Sequence, residues 1–136
     1  MVLTFTIVEG LVATGQLRQA MAMIDEALEQ AERTEERWCV AEQLRIKGEL
    51  LLMEGAQPAA TAAEDCFLQA LEVARGQSAL SWELRAATSL ARLWCDQGQI
   101  NEARELLARV YDQFTEGFKT ADLKAAKRLV DDLRQR

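Results

Sequence analysis

Apolar residues recur three and four positions apart along almost the whole chain, with polar residues between them. That is the period of helices with one buried face. It predicts seven helical segments near residues 3–14, 17–33, 35–54, 58–74, 79–97, 100–115 and 120–134. Gly15, Gly55 and Gly98 follow apolar-periodic runs and are read as helix-ending residues, with Gly117 in the same role for the sixth segment. Thr34, followed by Glu35 and Glu36, is the expected cap of the third helix. Pro58 in a first turn, or a capping box of Thr61 and Glu64, is expected to open the fourth.

The pattern also repeats. Gly15 is followed by Ala20, Ile24 and Ala27, and Gly98 at the same offsets by Ala103, Leu107 and Val110. Gly55 precedes Ala63, Phe67 and Ala70, with three extra residues in the turn. A small residue lets two antiparallel helices approach, and the large residue four positions later fills the space beside it. The preceding segments correspond as well: Gly48, Leu51 and Gly55 match Ala91, Trp94 and Gly98, and Val8, Leu11 and Gly15 form a weaker copy. Gly48 inside a helix disfavours that helix by roughly 1 kcal/mol, so a close helix approach is expected there. The glycines lie 40 and then 43 residues apart, longer than the 34-residue tetratricopeptide unit and similar to armadillo or HEAT repeats. The glycine followed by small, large and small residues favours the tetratricopeptide form. The expected fold is all-α, an antiparallel helix-pair solenoid of the tetratricopeptide type with about seven helices. Residues 1–136 then form one such domain of three enlarged repeats and a C-terminal capping helix, a fragment of a larger protein.

Composition agrees with helix: one proline and seven glycines in 136 residues, of which 49% are apolar. The apolar stretch Val2–Val12 is too short to span a bilayer and has no basic flank, so a cytoplasmic domain that does not engage membrane is expected. The net charge of -6 is uneven, with 13 acids and 5 bases in residues 1–74 against 9 acids and 11 bases in 75–136. Such asymmetry can steer a partner. No basic tract is dense enough to point to nucleic acid.

The segment SWELRAATSLARLWCDQGQINEARELLARVYDQFTEGFKTADLKAAKRLVDDL, from Ser81 to Leu133, resembles the C-terminal tetratricopeptide-repeat region of bacterial multidomain adenylate-cyclase-like/signal-transducing ATPase proteins. ERWCVAEQLRIKGELLL (Glu36–Leu52) and CFLQALEVAR (Cys66–Arg75) resemble it too, so the likeness covers roughly residues 30–134. It implies a noncatalytic protein-interaction and signalling-regulatory scaffold. A structural spacer or a small-molecule-responsive regulatory module is the alternative. The implied partners are a protein or peptide, or neighbouring domains of the parent protein.

No catalytic, cofactor-binding or metal-binding residues are expected. The chain has no histidine and no phosphate-cradling G-x-x-x-x-G-K-[ST] sequence. Cys39, Cys66 and Cys95 stand far apart in apolar surroundings and read as buried or partly buried thiols rather than a zinc site. Trp38 and Trp94 read as packing residues, and Trp82 as packing or an aromatic anchor. The candidate protein-binding face comprises Glu42, Arg45 and Glu49 with Arg85, Thr88 and Arg92, which fall at matching helical offsets on the first helices of two pairs. Its arginines could hold a carboxylate-bearing partner. The first segment is unusually apolar for a terminal repeat, which makes Phe5, Val8 and Val12 a candidate homodimer surface.

Overall fold

The computed structural model describes residues 2–35, 37, 39–55 and 59–135, with side chains from residue 5 onward. Among these residues the elements are α1 (Val2–Ala13), α2 (Leu17–Thr34), α3 (Val40–Glu54), α4 (Ala59–Gly76), α5 (Leu80–Asp96), α6 (Ile100–Tyr111) and α7 (Ala121–Arg134). Consecutive helices pack as antiparallel pairs, the arrangement of a solenoid-like helical repeat.

The repeated residues occupy equivalent places. Ala20, Ile24 and Ala27 on α2, Ala63, Phe67 and Ala70 on α4, and Ala103, Leu107 and Val110 on α6 are all buried. Val8, Gly48 and Ala91 are buried at the corresponding point of the first helices. At Gly48 the approach is closest: a Cβ built there would lie 2.4 Å from Phe67 Cε1. The glycine therefore lets the α4 ring press against the α3 backbone, and this contact outweighs its poor helix propensity.

The helix ends repeat too. After α1 the Gly15 amide donates to the Val12 carbonyl at 3.1 Å and Gln16 to Leu11 at 2.7 Å. After α5 Gly98 donates to Cys95 at 3.0 Å and Gln99 to Trp94 at 2.8 Å. These bonds satisfy carbonyls left open at the helix end, and they require the positive φ of 78° and 82° that glycine adopts without strain. The α4 end uses the same pair of bonds, from Ser78 to Arg75 and from Ala79 to Ala74, but with Ser78 at φ 55°. The Ser78 turn carries no glycine signal in the sequence.

Three boundary expectations are corrected. Thr34 does not cap α3; it is the last residue of α2, its hydroxyl donates to the Gln30 carbonyl at 2.9 Å, and Glu35 takes the left-handed conformation that closes the helix. The buried stripe of α2 runs on to Ala31, which keeps the chain helical past the expected end, and α3 starts at Val40 rather than 35. Thr61 lies inside α4, beyond its start at Ala59, so it does not cap that helix. The sixth helix stops at Tyr111, one residue after its buried face ends at Val110. Gly117 therefore sits in the following connection, where Thr120 caps α7 by accepting from the Leu123 amide at 3.4 Å. Pro58 lies outside the described residues.

Helix α5 is the centre of the larger core: its small residues Ala86, Ala87, Ser89 and Ala91 let it pack against α3, α4, α6 and α7. Among the first helices α3 thus adjoins α5 and α5 adjoins α7, whereas the α2, α4 and α6 backbones do not pack together. The first-helix side is the narrow, inner side of the stack. A smaller core of Val8, Ala20, Ile24 and Leu50 joins α1 and α2 to α3.

Cys39 and Cys66 are buried and Cys95 is half-buried, and none of the three is in a disulfide. Burial pushes the Cys39 and Cys66 thiols above the usual value near 9.0. The unfolded chain therefore loses these protons first, so the stability they contribute is full below the unfolded pKa and falls as pH rises through the folded one. Urea midpoints are expected to decline from about pH 8 to about pH 10, and a Cys39→Ala/Cys66→Ala protein should show a shallower decline. Equal slopes would contradict this.

Candidate functional site

The inner side carries the candidate binding residues. Glu42, in the first turn of α3, is only 3% exposed. Such a carboxylate is costly to bury unless cations and donors surround it. Arg45, one helical turn on, supplies them: its Nε donates to Glu42 Oε1 at 2.7 Å and its Nη2 reaches the same oxygen. Arg85 Nη1, from α5, approaches Glu42 Oε2 at 3.2 Å as an ion pair without hydrogen-bond alignment. Arg45 Nη1 donates to Ser89 Oγ at 3.4 Å and lies 3.9 Å from Glu49 Oε1. Arg85 Nε stands 3.6 Å from Asp122 Oδ1 at the start of α7. One buried acid thus fixes two guanidinium groups from different helices.

The remaining candidates divide. Thr88 is buried and its hydroxyl donates to the Leu84 carbonyl at 2.8 Å, inside its own helix. Arg92 is exposed and, among the described residues, has no carboxylate within ion-pair distance. All of the six except Thr88 line one groove of about 600 Å³ between α1, α3 and α5. Its other wall is largely apolar: Phe5, Val8 and Val12 from α1, with Thr6 and Glu9 between them, face Ile46, Leu50 and Met53 from α3.

The three residues expected at an end surface therefore turn into this groove, and Val8 is committed to the α1–α2–α3 core at 2% exposure. Phe5 and Val12 remain half-buried, and Ile7 on α1 is exposed. The groove exists because α1 packs its backbone on α2 alone, while α3 packs on α5 and α5 on α7. Trp94 packs half-buried against the larger core, Trp82 is half-buried, and Trp38 lies outside the described residues.

Sequence reasoning missed Ile46 and Met53 as apolar groove residues, and Ser89 and Asp122 as polar partners. Ile46 and Met53 lie about one and three turns beyond Glu42 on the candidate face, so their spacing held a signal; Asp122 comes from the last helix and had none. A second groove of about 490 Å³ lies between α2 and α4, lined by Leu28, Leu44 and Val73 with Glu29, Glu32 and Glu72 at its rim. Arg37 also lines it, but pairs with Glu32 at 3.2 Å.

Among the described residues no group of three cysteines and carboxylates is placed to hold a metal ion, and no helix is long and apolar enough to cross a membrane. Comparison of the chain with protein-family models, with curated proteins and with solved structures finds no match.

Proposed function

We propose that the chain is a tetratricopeptide-type, noncatalytic interaction scaffold whose inner groove receives a segment of a protein partner or of a neighbouring domain of its parent. The observation that carries this reading is one groove with an apolar wall on α1 and α3 and an arginine-bearing edge on α5. An amphipathic segment could bury its apolar side against Phe5, Val12, Ile46 and Met53 and turn acidic groups toward Arg85 and Arg92. Arg92 is the stronger contributor to such pairing, because Arg85 is already engaged by Glu42 and Asp122. The likeness to signalling proteins supports a regulatory setting.

A partner captured with the intact parent protein and titrated against this chain tests the reading. Arg92→Ala is expected to weaken binding about tenfold, and Val12→Glu more strongly. Unchanged affinity in both, with helicity intact, would reject the groove. A second copy is the competing occupant, supported by exposed Ile7 on the apolar α1. Light scattering across concentration distinguishes it, since Phe5→Glu should then lower the mass.

A further inference from the structure

The arginine edge of the groove continues into a separate small pocket between α3, α5 and α7, with a volume of about 140 Å³. Arg45, Arg85, Arg92, Thr88, Ser89 and Asp122 line it. We propose that this pocket binds a phosphoryl group, carried by a phosphorylated side chain of the segment in the groove; the identity of the carrier rests on the groove reading above.

Four observations converge. Three guanidinium groups face one small space, and two of them are held in place from behind by the buried carboxylate of Glu42. They are therefore ordered before a ligand arrives, which reduces the entropy lost on binding. Arg92, exposed and without a carboxylate partner among the described residues, supplies a cation that the protein itself leaves uncompensated.

Ser89 adds a hydroxyl: because Ser89 Oγ accepts from Arg45 Nη1, its proton is available to an oxygen in the pocket. Thr88 does not contribute this way, as its proton is already given to Leu84. The donors come from two helices and approach from several directions, which suits a group with three acceptor oxygens better than a planar carboxylate that takes one bidentate fork.

Charge sharpens the choice. Within the pocket three arginines face one carboxylate, Asp122, while Glu42 and Glu49 offset charge on Arg45 and Arg85 from outside it, so there is a local cationic surface without a strong general attraction for anions. Asp122 opposes any anion that enters. A phosphoryl group, with a charge of about -1.5 to -2 near neutral pH, gains more from the arginines than a singly charged carboxylate and is favoured over it. Asp122 repels the more highly charged group more as well, so the preference comes from the arginines, and removing Asp122 should strengthen phosphate binding.

The test uses inorganic phosphate first, titrated against the folded chain at constant ionic strength and followed by the NMR signals of the arginine Nε–H groups. Saturable shifts at Arg85 and Arg92 are expected. Arg92→Ala should weaken phosphate binding about tenfold, Asp122→Asn should tighten it severalfold, and Arg109→Ala, the same charge change on α6, should leave it unaltered. Equal weakening by Arg92→Ala and Arg109→Ala would reduce the effect to general charge and overturn the proposal. Acetate binding as tightly as phosphate would overturn the phosphoryl assignment.

The second arm treats the captured partner with phosphatase. Loss of about tenfold or more in affinity is expected; a partner that still occupies the groove at full affinity overturns the phosphoryl reading and leaves the groove intact.

Discussion

Replacing Gly48 with alanine is expected to lower stability by about 1–2 kcal/mol, even though the same change in an exposed helix would raise it by about 1 kcal/mol. The new methyl would meet Phe67 at 2.4 Å from Cε1 and 2.9 Å from Cζ. Phe67 is completely buried and has no open space into which to swing, so α3 and α4 must separate or the ring must leave its favoured rotamer. Phe67→Ala should cost about 3–5 kcal/mol through the cavity it leaves. The Gly48→Ala/Phe67→Leu protein should lose less than the sum of its single changes, because the smaller side chain leaves room for the methyl. Urea unfolding reads all of these values. A Gly48→Ala chain more stable than the parent would show that helix propensity, rather than the ring contact, decides this position.

Arg45→Met is expected to cost about 3 kcal/mol, because it leaves the Glu42 carboxylate buried with only the half-exposed Arg85 beside it. Glu42→Gln should cost less, about 1–2 kcal/mol, since both guanidinium groups retain access to water. Replacing both partners, as Glu42→Leu/Arg45→Met, should recover most of the loss, since an apolar pair needs no compensation. The double variant should nevertheless bind phosphate poorly, as Arg45 is gone and Arg85 keeps only its looser contact with Asp122. Stability and site geometry would be separated in this way. A double variant no more stable than Arg45→Met alone would contradict the account of Glu42.

Much of this architecture was legible from local pattern. The spacing of Ala20, Ile24 and Ala27, and of its copies on α4 and α6, identified residues that are all buried, because helix faces follow from period alone. Gly48 was readable as a close approach because a helix-interior glycine carries a cost that something must offset. Ends were harder. Thr34 has a residue type that suits a cap, yet the buried stripe through Ala31 carried α2 past it, and its hydroxyl turned back onto Gln30.

The binding face was legible only along each helix. Glu42, Arg45 and Glu49 share a face by spacing, but the pairing of Arg85 with both Glu42 and Asp122 depends on how α3, α5 and α7 stack. Apolar composition drew attention to Phe5, Val8 and Val12. Their direction could not be read from it: in the structure they line the groove between α1 and α3.

Methyl NMR of the chain during titration with the captured partner tests the groove most directly. The account predicts shifts at the methyls of Val12, Ile46 and Met53 on the inner side, with those of Leu28 and Val73 in the outer groove unchanged. Shifts confined to Leu28 and Val73 would contradict it.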